Sequence, residues 1–370
     1  MPDATVVDVQ YMQQALELAR GGLGFVSPNP LVGCVLVKDG AVVGRGYHQR
    51  FGGPHAEVYA LQEAGLQARG AVLYVTLEPC SHTGKTPPCA DAVLHAGVSR
   101  VVVALRDPNP LVAGTGLARL AAAGVAVTVG VCEAAAHKLN EAFVKYITTR
   151  RPFVTLKSAI TLDGKIATRT GASQWITGEL ARQEGHRLRH AADAILVGIG
   201  TVLQDDPQLT TRLPDRQGVN PLRVIVDSTL RVPRQAKVTD VATDRRTLVV
   251  TTARARAAHS EQLRTRGVEV VCLPAYDDGR VDLEALWRYL GERGIASVLV
   301  EGGATLSATL LRRRLIDKVL FFVAPKIIGG DGISVVGTCG VETMEQVINL
   351  RDVGGQRLGN DFLLEAYLTP

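Results

Sequence analysis

The sequence has few aromatic residues, few cysteines and no long apolar run. Aromatic residues make up 5% of the 370 residues, and the six cysteines are spread too irregularly for a disulfide-bonded scaffold. No apolar run approaches the ~18 residues that a membrane-spanning helix needs. The first residues also lack the basic and apolar segments of a secretion signal. We therefore expect a cytoplasmic protein with mostly free thiols and no membrane contact.

Composition and charge narrow the class of protein further. A hydrophobic content of 46% is too high for a disordered chain. A length of 370 residues exceeds one ordinary core, which favours two domains. The net charge is only +5, so neither half has the strongly basic surface that is typical of nucleic-acid-binding proteins. We expect no nucleic-acid partner.

Residues 1–147 alternate between helical and strand-like patterns. A helix capped by Asp8 ends at Gly21-Gly22, and two strand-like runs flank the turn dipeptide Asp39-Gly40. The alternation of strands and helices that follows predicts a three-layer domain, a sheet with helices on both faces. A single helix from Glu133 to Tyr146 is expected to close this domain.

A polar segment with a proline, residues 148–152, is the best candidate for a linker. After it, apolar strand-like runs alternate with helical stretches, which predicts a second α/β domain over residues 151–370. The strand-like runs are 153–158, 194–197, 222–226, 248–252, 268–273, 297–300 and 318–324, and the helical stretches are 179–191, 255–265, 283–293 and 305–313.

One histidine, one glutamate and two cysteines stand at junctions of the first domain. His55 and Glu57 open a predicted helix, whereas Cys80 and Cys89 flank a proline-rich loop. One imidazole and two thiolates leave the fourth tetrahedral position of zinc open for water, as a catalytic site requires. Glu57 is then a carboxylate that is free to move a proton. The pattern predicts a catalytic zinc centre.

Alternatives to this interpretation remain open. The structural alternative is a helix-capping His55 and two buried thiols, which is the better interpretation for any one residue but not for the whole set. Eight residues separate Cys80 from Cys89, whereas the P-C-x-x-C part of the nucleobase-deaminase signature has two. Within that insertion, His82 is interpreted as a loop or substrate-facing residue and, alternatively, as a zinc ligand.

Paired glycines follow a predicted strand in the second domain. Gly302 and Gly303 lie between the run 297–300 and a helix, where the free N–H groups of the helix can bind a phosphate. Such joints also occur only to make a tight turn, and the G-x-G-x-x-G dinucleotide fingerprint does not follow an early strand. From this feature alone, the tight turn is the better interpretation.

Longer motifs point to a family. The sequence resembles the bifunctional riboflavin-biosynthesis deaminase-reductases over essentially the whole chain, and the long insertion between the cysteines is a feature of that family. The segments that carry the resemblance are PNPLVGC (28–34), GYH (46–48), PHAE (54–57), TLEPCSHTGKTPPC (76–89), KSAITLDGK (157–165), SQWIT (173–177), GTVLQDDP (200–207), VDS (226–228) and VEGG (300–303).

The resemblance implies that residues 1–147 form a cytidine-deaminase-like three-layer α/β/α domain. In this family the substrate is a diaminopyrimidinone ribosylamine 5′-phosphate, which loses its ring amine as ammonia. Glu57 would be the proton shuttle and Asn29 would bind the substrate. The ligands of the single zinc ion would be His55, Cys80 and Cys89.

The resemblance also implies that residues 151–370 form a dihydrofolate-reductase-like α/β domain. This domain would use NADPH to reduce the ribosyl group to a ribityl chain. The NADPH site would be lined by Ala159, Trp175, Thr201, Asp205, Ser228, Gly303, Ala304, Thr305, Leu306, Ser307, Ala308 and Thr309. The substrate site would be lined by Ser173, Arg189, Leu209, Arg212 and Glu301.

Some expectations for this second site have a physical basis of their own. The guanidinium groups of Arg189 and Arg212 can bind a 5′-phosphate bidentately, although arginines are more often solvated surface residues. Ser228, Arg254 and Arg256 follow predicted strands with little opposing acid, which favours NADPH over NADH. The sequence identifies no dedicated general acid, for which the candidates are Lys157, Asp163 and Glu301. The expected partners are a small-molecule nucleotide and further copies of the chain in a homo-oligomer.

Three other functions compete with this one. A deaminase of nucleic acids would share the zinc centre but would need a basic, aromatic-rich surface. A non-catalytic protein with a structural zinc ion would normally supply four protein ligands. A third alternative keeps one activity and has lost the other.

Overall fold

The computed structural model describes residues 5–81, 88–109, 112–242 and 244–369. Its chain divides into two units, Met1–Arg150 and Arg151–Pro370. No helix among these described residues is long and apolar enough to cross a membrane.

Within its described residues, the first unit is a five-stranded sheet with six α-helices. Strands lie in the order β2-β1-β3-β4-β5, antiparallel from β2 to β3 and parallel from β3 to β5. The strands are β1 Gly33–Lys38, β2 Ala41–Tyr47, β3 Val72–Leu77, β4 Arg100–Leu105 and β5 Ala126–Val129, and the helices are α1 Val6–Ala19, α2 Ala56–Ala64, α3 Cys89–His95, α4 Thr115–Ala122, α5 Glu133–Leu139 and α6 Glu141–Thr149.

Both faces of this sheet are covered by helices. Ala60 of α2, Val93 of α3 and Leu120 of α4 belong to one buried cluster, and Met12 of α1 and Ala136 of α5 belong to another. Because successive residues of a strand point to opposite faces, the buried strands supply side chains to both clusters. The expected three-layer arrangement is confirmed.

The hairpin between β1 and β2 turns where the sequence places it. Asp39 and Gly40 both have left-handed backbone conformations, with φ of 51° and 78°. This is the pattern of the two-residue turns that match strand twist, and Asp-Gly adopts it readily.

Asp8 does not cap the first helix, contrary to the sequence interpretation. Thr5 is the cap, and its hydroxyl accepts a hydrogen bond from the Asp8 N–H while the Asp8 carboxylate accepts one from the Thr5 N–H. Asp8 is also buried against Arg100, which donates two hydrogen bonds of 3.0 Å to its carboxylate, and Tyr74 donates a third. The carboxylate therefore joins the start of α1 to the sheet.

The single helix expected from Glu133 to Tyr146 is also wrong. It is broken at Asn140, whose backbone is not helical (φ −111°, ψ 18°) and which separates α5 from α6. The buried Asn140 side chain bonds to the main chain of Leu31, at a distant point of the chain. This tertiary contact stabilises the break.

The second unit is a nine-stranded sheet with a separate pair of short strands. The order is β11-β10-β9-β8-β12-β6-β13-β16-β15, parallel from β11 to β13 and antiparallel beyond, while β7 pairs with β14. The strands are β6 Phe153–Thr161, β7 Lys165–Ala167, β8 Ala194–Gly198, β9 Leu222–Val226, β10 Thr247–Thr251, β11 Glu269–Cys272, β12 Ser297–Val300, β13 Lys318–Ala324, β14 Ile333–Ser334, β15 Leu350–Leu358 and β16 Asp361–Leu368. The helices are α7 Glu179–Ala191, α8 Ile199–Asp205, α9 Ala257–Arg264, α10 Leu283–Glu292 and α11 Ala304–Arg312.

The order of these strands predicts where a ligand-binding crevice lies. Strand β12 returns late in the chain to lie between β8 and β6, so the direction of winding reverses there. In open α/β sheets, ligands bind outside the carboxyl ends of the strands at such a reversal. The segments that follow β8 and β12 are therefore the expected walls of a site.

Candidate active sites

Three side chains that could bind one metal ion meet in the first unit. His55 is the N-cap of α2, Cys80 follows β3, and Cys89 is the first residue of α3. The His55 Nδ1 atom lies 3.1 Å from the Cys89 Sγ atom and 3.6 Å from the Cys80 Sγ atom. Among the described residues this is the group of ligand atoms close enough to share one metal ion, all within 4.8 Å of one another.

The chemistry of these donors fits zinc. One imidazole nitrogen and two sulfur atoms form a three-membered set, which leaves one tetrahedral position for water. Hydrogen bonds from Cys89 and His55 lower the pKa of the Cys80 thiol, whereas the same contact with Cys80 raises the pKa of Cys89, so Cys80 is the thiol that ionises first. A thiolate is the form that binds a metal.

Glu57 lies in the first turn of α2 beside this set. Its side chain is buried, with 3% of its surface exposed, and burial raises its pKa to about 7. Its Oε2 atom has no hydrogen-bond partner among the described residues. A carboxylate with a pKa near neutrality and a free oxygen is suited to accept and return a proton.

A cavity of about 320 Å³ is lined by Glu57 and by two residues of the three-membered set, His55 and Cys80. Its walls include the predicted substrate residue Asn29, together with Phe51, Phe143 and Ile147. His82 lies outside the described residues. The remaining lining residues are Pro30, Val32, His48, Gly52, Gly53, His55, Glu57, Leu77, Glu78, Cys80, Asp107 and Asn109.

His48 fixes Asn29 within this wall. The His48 Nδ1 atom lies 2.9 Å from the carbonyl oxygen of Pro54, so Nδ1 carries the proton, and burial lowers the pKa of the ring. The Nε2 atom of the neutral ring therefore accepts a hydrogen bond from the Asn29 amide, at 3.2 Å. This chain of contacts ends next to the candidate metal ligand His55.

Glu78 is a buried residue whose role the sequence analysis missed. Its carboxylate accepts hydrogen bonds from the N–H groups of Asp107, Gly114, Gly116 and Leu117. Three of these donors lie at the start of α4, where a negative charge is favourable. Glu78 thus fixes the segment that leads to Cys80. Only its place in the motif TLEPC could have drawn attention to it.

The second unit has a smaller cavity, of about 160 Å³, at the reversal in strand order. Five predicted site residues line it, namely Ala159, Thr201, Asp205, Glu301 and Gly303. Lys157, Ser158, Ile166 and Gly302 complete the wall.

Glu301 organises the charges of this second site. Arg189 donates two hydrogen bonds to its carboxylate, at 2.9 and 2.8 Å, and the Lys157 ammonium lies 3.8 Å from it. Burial raises the pKa of Glu301, but the charges of Arg189 and Lys157 more than offset this and lower it to about 2. Glu301 is therefore ionised at neutral pH.

Arg212 and His186 lie next to this ion pair. The Arg212 N–H donates to His186 Nδ1, at 3.3 Å, and the Arg212 guanidinium donates to Thr210. Burial and the charges of Arg189 and Arg212 lower the pKa of His186 to about 4, so its ring is neutral. The positive charges of Arg189, Arg212 and Lys157 thus outnumber the negative charge of Glu301 in this cluster.

Other predicted residues do not line the cavity. Trp175 is 64% exposed and stacks against Arg182, at 4.8 Å from its ring centre. Ser228 accepts a hydrogen bond from the Val281 N–H at the end of β9. Ser173 and Arg212 are also absent from the cavity lining. The first three residues of α11 are Ala304, Thr305 and Leu306. The predicted residues with buried side chains are Leu209, Ser307, Ala308 and Thr309.

Comparison with known proteins identifies the family. Residues 6–105 match the model of the cytidine and deoxycytidylate deaminase zinc-binding region, and residues 152–364 match the RibD C-terminal domain. The chain is 45% identical to the riboflavin biosynthesis protein RibD of Aquifex aeolicus, over 97% of this chain and 98% of that protein. The chain belongs to the RibD family. The RibD protein of Escherichia coli is 41% identical over 96% of this chain and 98% of its own length.

Solved RibD structures have the same fold. The RibD of Acinetobacter baumannii superimposes with a TM-score of 0.88 at 41% identity, over 98% of this chain and 99% of that one. A diaminohydroxyphosphoribosylaminopyrimidine deaminase/5-amino-6-(5-phosphoribosylamino)uracil reductase from Thermotoga maritima gives 0.85 at 40% identity, with coverage of 98% and 99%. The resemblance noted in the motifs and the α/β class of both units are therefore confirmed.

Proposed function

We propose that this RibD family member catalyses two consecutive steps of riboflavin biosynthesis. The first is hydrolytic deamination of 2,5-diamino-6-(5-phosphoribosylamino)pyrimidin-4(3H)-one, which releases ammonia. The second is NADPH-dependent reduction of the ribosyl group, which gives 5-amino-6-(5-phosphoribitylamino)uracil. The observation that carries the proposal is the convergence of His55, Cys80 and Cys89 beside the buried Glu57, at the end of a cavity.

The deaminase site is assigned to the first unit. His55, Cys80 and Cys89 would hold one zinc ion, which would supply Lewis-acid activation of a water molecule. Glu57 accepts a proton at its free Oε2 atom and returns it to the departing amine, so that ammonia leaves. The Asn29 side chain, fixed by His48, contacts the pyrimidine nucleotide in the cavity.

The reductase site is assigned to the second unit. NADPH supplies the hydride when bound, and the residues that bind it are those around Ala159, Thr201, Asp205 and Gly303 at the cavity. The more distant Trp175, Ser228 and residues 304–309 extend this site towards the rest of the dinucleotide. Arg189 and Arg212 supply the positive charge for the substrate phosphate, with Ser173, Leu209 and Glu301 around them.

Of the three candidates for a proton donor in the reductase site, Lys157 fits best. The Asp163 carboxylate accepts hydrogen bonds from Thr161 and Gly329 that lower its pKa to about 2, and Glu301 is ionised as well. Lys157 lines the cavity. Its ammonium would protonate the imine nitrogen of the open-chain ribosylamine, whose adjacent carbon takes the hydride, so that the C1–N bond is kept and a ribitylamine results.

Two broader assignments rest on the sequence. We place the enzyme in the cytoplasm, and we expect it to form a homo-oligomer. Its partners are small molecules, the nucleotide and NADPH.

The proposal is tested with the purified protein and the diaminopyrimidinone nucleotide. Ammonia should appear without NADPH, and NADPH should be consumed only as deaminated product forms. Glu57→Gln should keep its zinc but slow ammonia release by ~100-fold or more, as expected for the loss of a general acid and base. Near-normal deamination by Glu57→Gln would show that the proton shuttle is wrong. Release of no ammonia by the unchanged protein would contradict the proposed function itself.

A further inference from the structure

The break between α5 and α6 has no cause in its local sequence. Residues 133–149 contain neither glycine nor proline, the residues that usually interrupt a helix. The main-chain groups of Asn140 are used by the helices themselves, because its N–H bonds to Ala136 and its carbonyl accepts from Val144. Only its side chain is available for another partner.

That side chain binds the main chain of one distant residue at both of its polar groups. The Leu31 N–H donates to Asn140 Oδ1 at 2.8 Å, and Asn140 Nδ2 donates to the Leu31 carbonyl at 2.9 Å. All of these atoms are buried, with 2% of Asn140 exposed. The side-chain amide of Asn140 thus pairs both the N–H and the carbonyl of Leu31, as a neighbouring strand would. Leu31 itself precedes β1 and belongs to no strand.

Leu31 lies in the segment that supplies one wall of the first cavity. Asn29 and Pro30 line that cavity, and so do Phe143 and Ile147 from α6, the helix that begins after Asn140. A single side chain therefore fixes two walls, and it does so by contacts with backbone atoms, which cannot shift through a change of rotamer.

We propose that Asn140 is a positioning residue of the deaminase site, which holds the main chain at Leu31 so that Asn29 is presented to the substrate. Asn140 does not line the cavity and takes no part in proton transfer. Loss of its two bonds loosens the 29–31 segment and weakens binding of the nucleotide. The zinc ligands and Glu57 lie on other elements, so the chemical step is largely preserved. This inference rests on the proposed deamination.

Two variants of Asn140 and one control test it in the full-length protein. Asn140→Ala removes both bonds, whereas Asn140→Asp keeps an acceptor for the Leu31 N–H but loses the donor to the carbonyl. His137→Ala changes an exposed residue of α5, one turn away, and serves as the control. For each protein, kcat and KM for ammonia release are measured. Zinc content and NADPH-dependent reduction of the deaminated nucleotide report on the integrity of each unit.

The expected result is a rise in KM. Asn140→Ala should raise KM by ~10-fold or more with kcat within ~3-fold of the unchanged enzyme, the pattern of lost substrate binding. Asn140→Asp should show the same change, and His137→Ala should not. Zinc content and the reduction step should be unchanged. When Asn29 is already replaced by alanine, adding Asn140→Ala should raise KM little further, because both changes act through one contact.

Other outcomes overturn the inference. An unchanged KM in Asn140→Ala, or effects of Asn29→Ala and Asn140→Ala that simply multiply, would show that Asn140 does not act through Asn29. Loss of zinc from both Asn140 variants would assign it a structural role only. If the unchanged protein released no ammonia, the proposed function would fail. The dissociation constant of the nucleotide for the same proteins would then decide the role of Asn140.

Discussion

At the candidate metal site formed by His55, Cys80 and Cys89, the positions of single donor atoms determine whether one metal ion can be bound. The Nδ1 atom of His55 and the Sγ atoms of Cys80 and Cys89 point towards one another although the residues come from three different elements. Three donors rather than four leave room for a reacting water, and the buried Glu57 stands beside them. The group therefore has the composition of a catalytic centre.

Removal of one ligand should release the metal. Cys80→Ser replaces a thiolate and its charge with a neutral hydroxyl, so we expect most of the zinc to be lost. Cys272→Ser is the matched control, because Cys272 is exposed and lies outside the metal-binding group. Metal analysis of the purified proteins measures this directly. Full zinc occupancy in Cys80→Ser would contradict the ligand assignment.

The residues of the two sites differ in how far the sequence reveals them. His55, Cys80 and Cys89 stand in short motifs whose donor types suggest a metal, so they could be predicted. Asn140 and Glu78 could not, because they act by bonding to main-chain atoms of residues such as Leu31 and Gly116. A hydrogen bond to a main-chain group does not require any particular side chain on the partner residue. The partners are also distant in the chain, so no local sequence pattern indicates them.

Among the secondary-structure elements, strands that are buried on both faces are predicted best from the sequence. The predicted bounds of β9, β12 and β13 agree with the structure to the residue, because parallel strands buried on both faces form continuous apolar runs. Strand β15 was not predicted. It contains Gly354-Gly355 and is exposed over most of its length, so it has no apolar pattern. Strand β16 and helix α8 were also not predicted.

The start of α1 depends on the ion pair between Asp8 and Arg100. Burial raises the pKa of Asp8, but hydrogen bonds from Arg100, Thr5 and Tyr74 more than offset this and lower it to about 2. An ordinary aspartate has a pKa of about 4. Because the folded pKa is the lower one, the stabilisation is complete above about pH 4 and is lost as the pH falls towards 2.

Replacement of this carboxylate should therefore have a pH-dependent cost. Asp8→Asn should lower the free energy of unfolding of the first unit by about 3 kcal/mol near pH 7, since it leaves Arg100 without its partner. The difference from the unchanged protein should narrow below about pH 4. Asp39→Asn, in the exposed hairpin turn, is the control. Denaturant titrations across this pH range measure the free energy of unfolding of each protein. If this free energy had the same pH dependence in Asp8→Asn and in the unchanged protein, the proposed role of the Asp8–Arg100 pair would be refuted.

The ends of β9 and β10 bear on the choice of cofactor. The Ser228 hydroxyl oxygen accepts a hydrogen bond from the Val281 N–H, and Arg254 is exposed just beyond β10. We propose that these two side chains contact a phosphate group of NADPH. We expect kcat/KM to favour NADPH over NADH by ~10-fold or more, about 1.4 kcal/mol. Arg254→Ala should reduce this preference and the distant Arg266→Ala should not. Equal use of both cofactors would argue against a phosphate-binding site at these strand ends.

Across the whole molecule, the two units have separate sheets and separate cavities, and we assign one of the two proposed reactions to each unit. The sequence predicted both units as α/β, which is confirmed, and it predicts a change between them near residue 150, since the strand and helix patterns begin anew there. What it lacked was the order of the strands. That order creates the crevice between β8 and β12, and it follows from pairing between segments about 100 residues apart.

The central claim is that one chain deaminates at Glu57 and then reduces at Lys157. It is tested most directly by assaying Glu57→Gln, Lys157→Gln and their mixture with the diaminopyrimidinone nucleotide and NADPH, following ammonia and NADPH together. Lys157→Gln should release ammonia without consuming NADPH, Glu57→Gln should do neither, and the mixture should do both. NADPH consumption by Glu57→Gln alone at the normal rate, or loss of ammonia release in Lys157→Gln, would contradict the account.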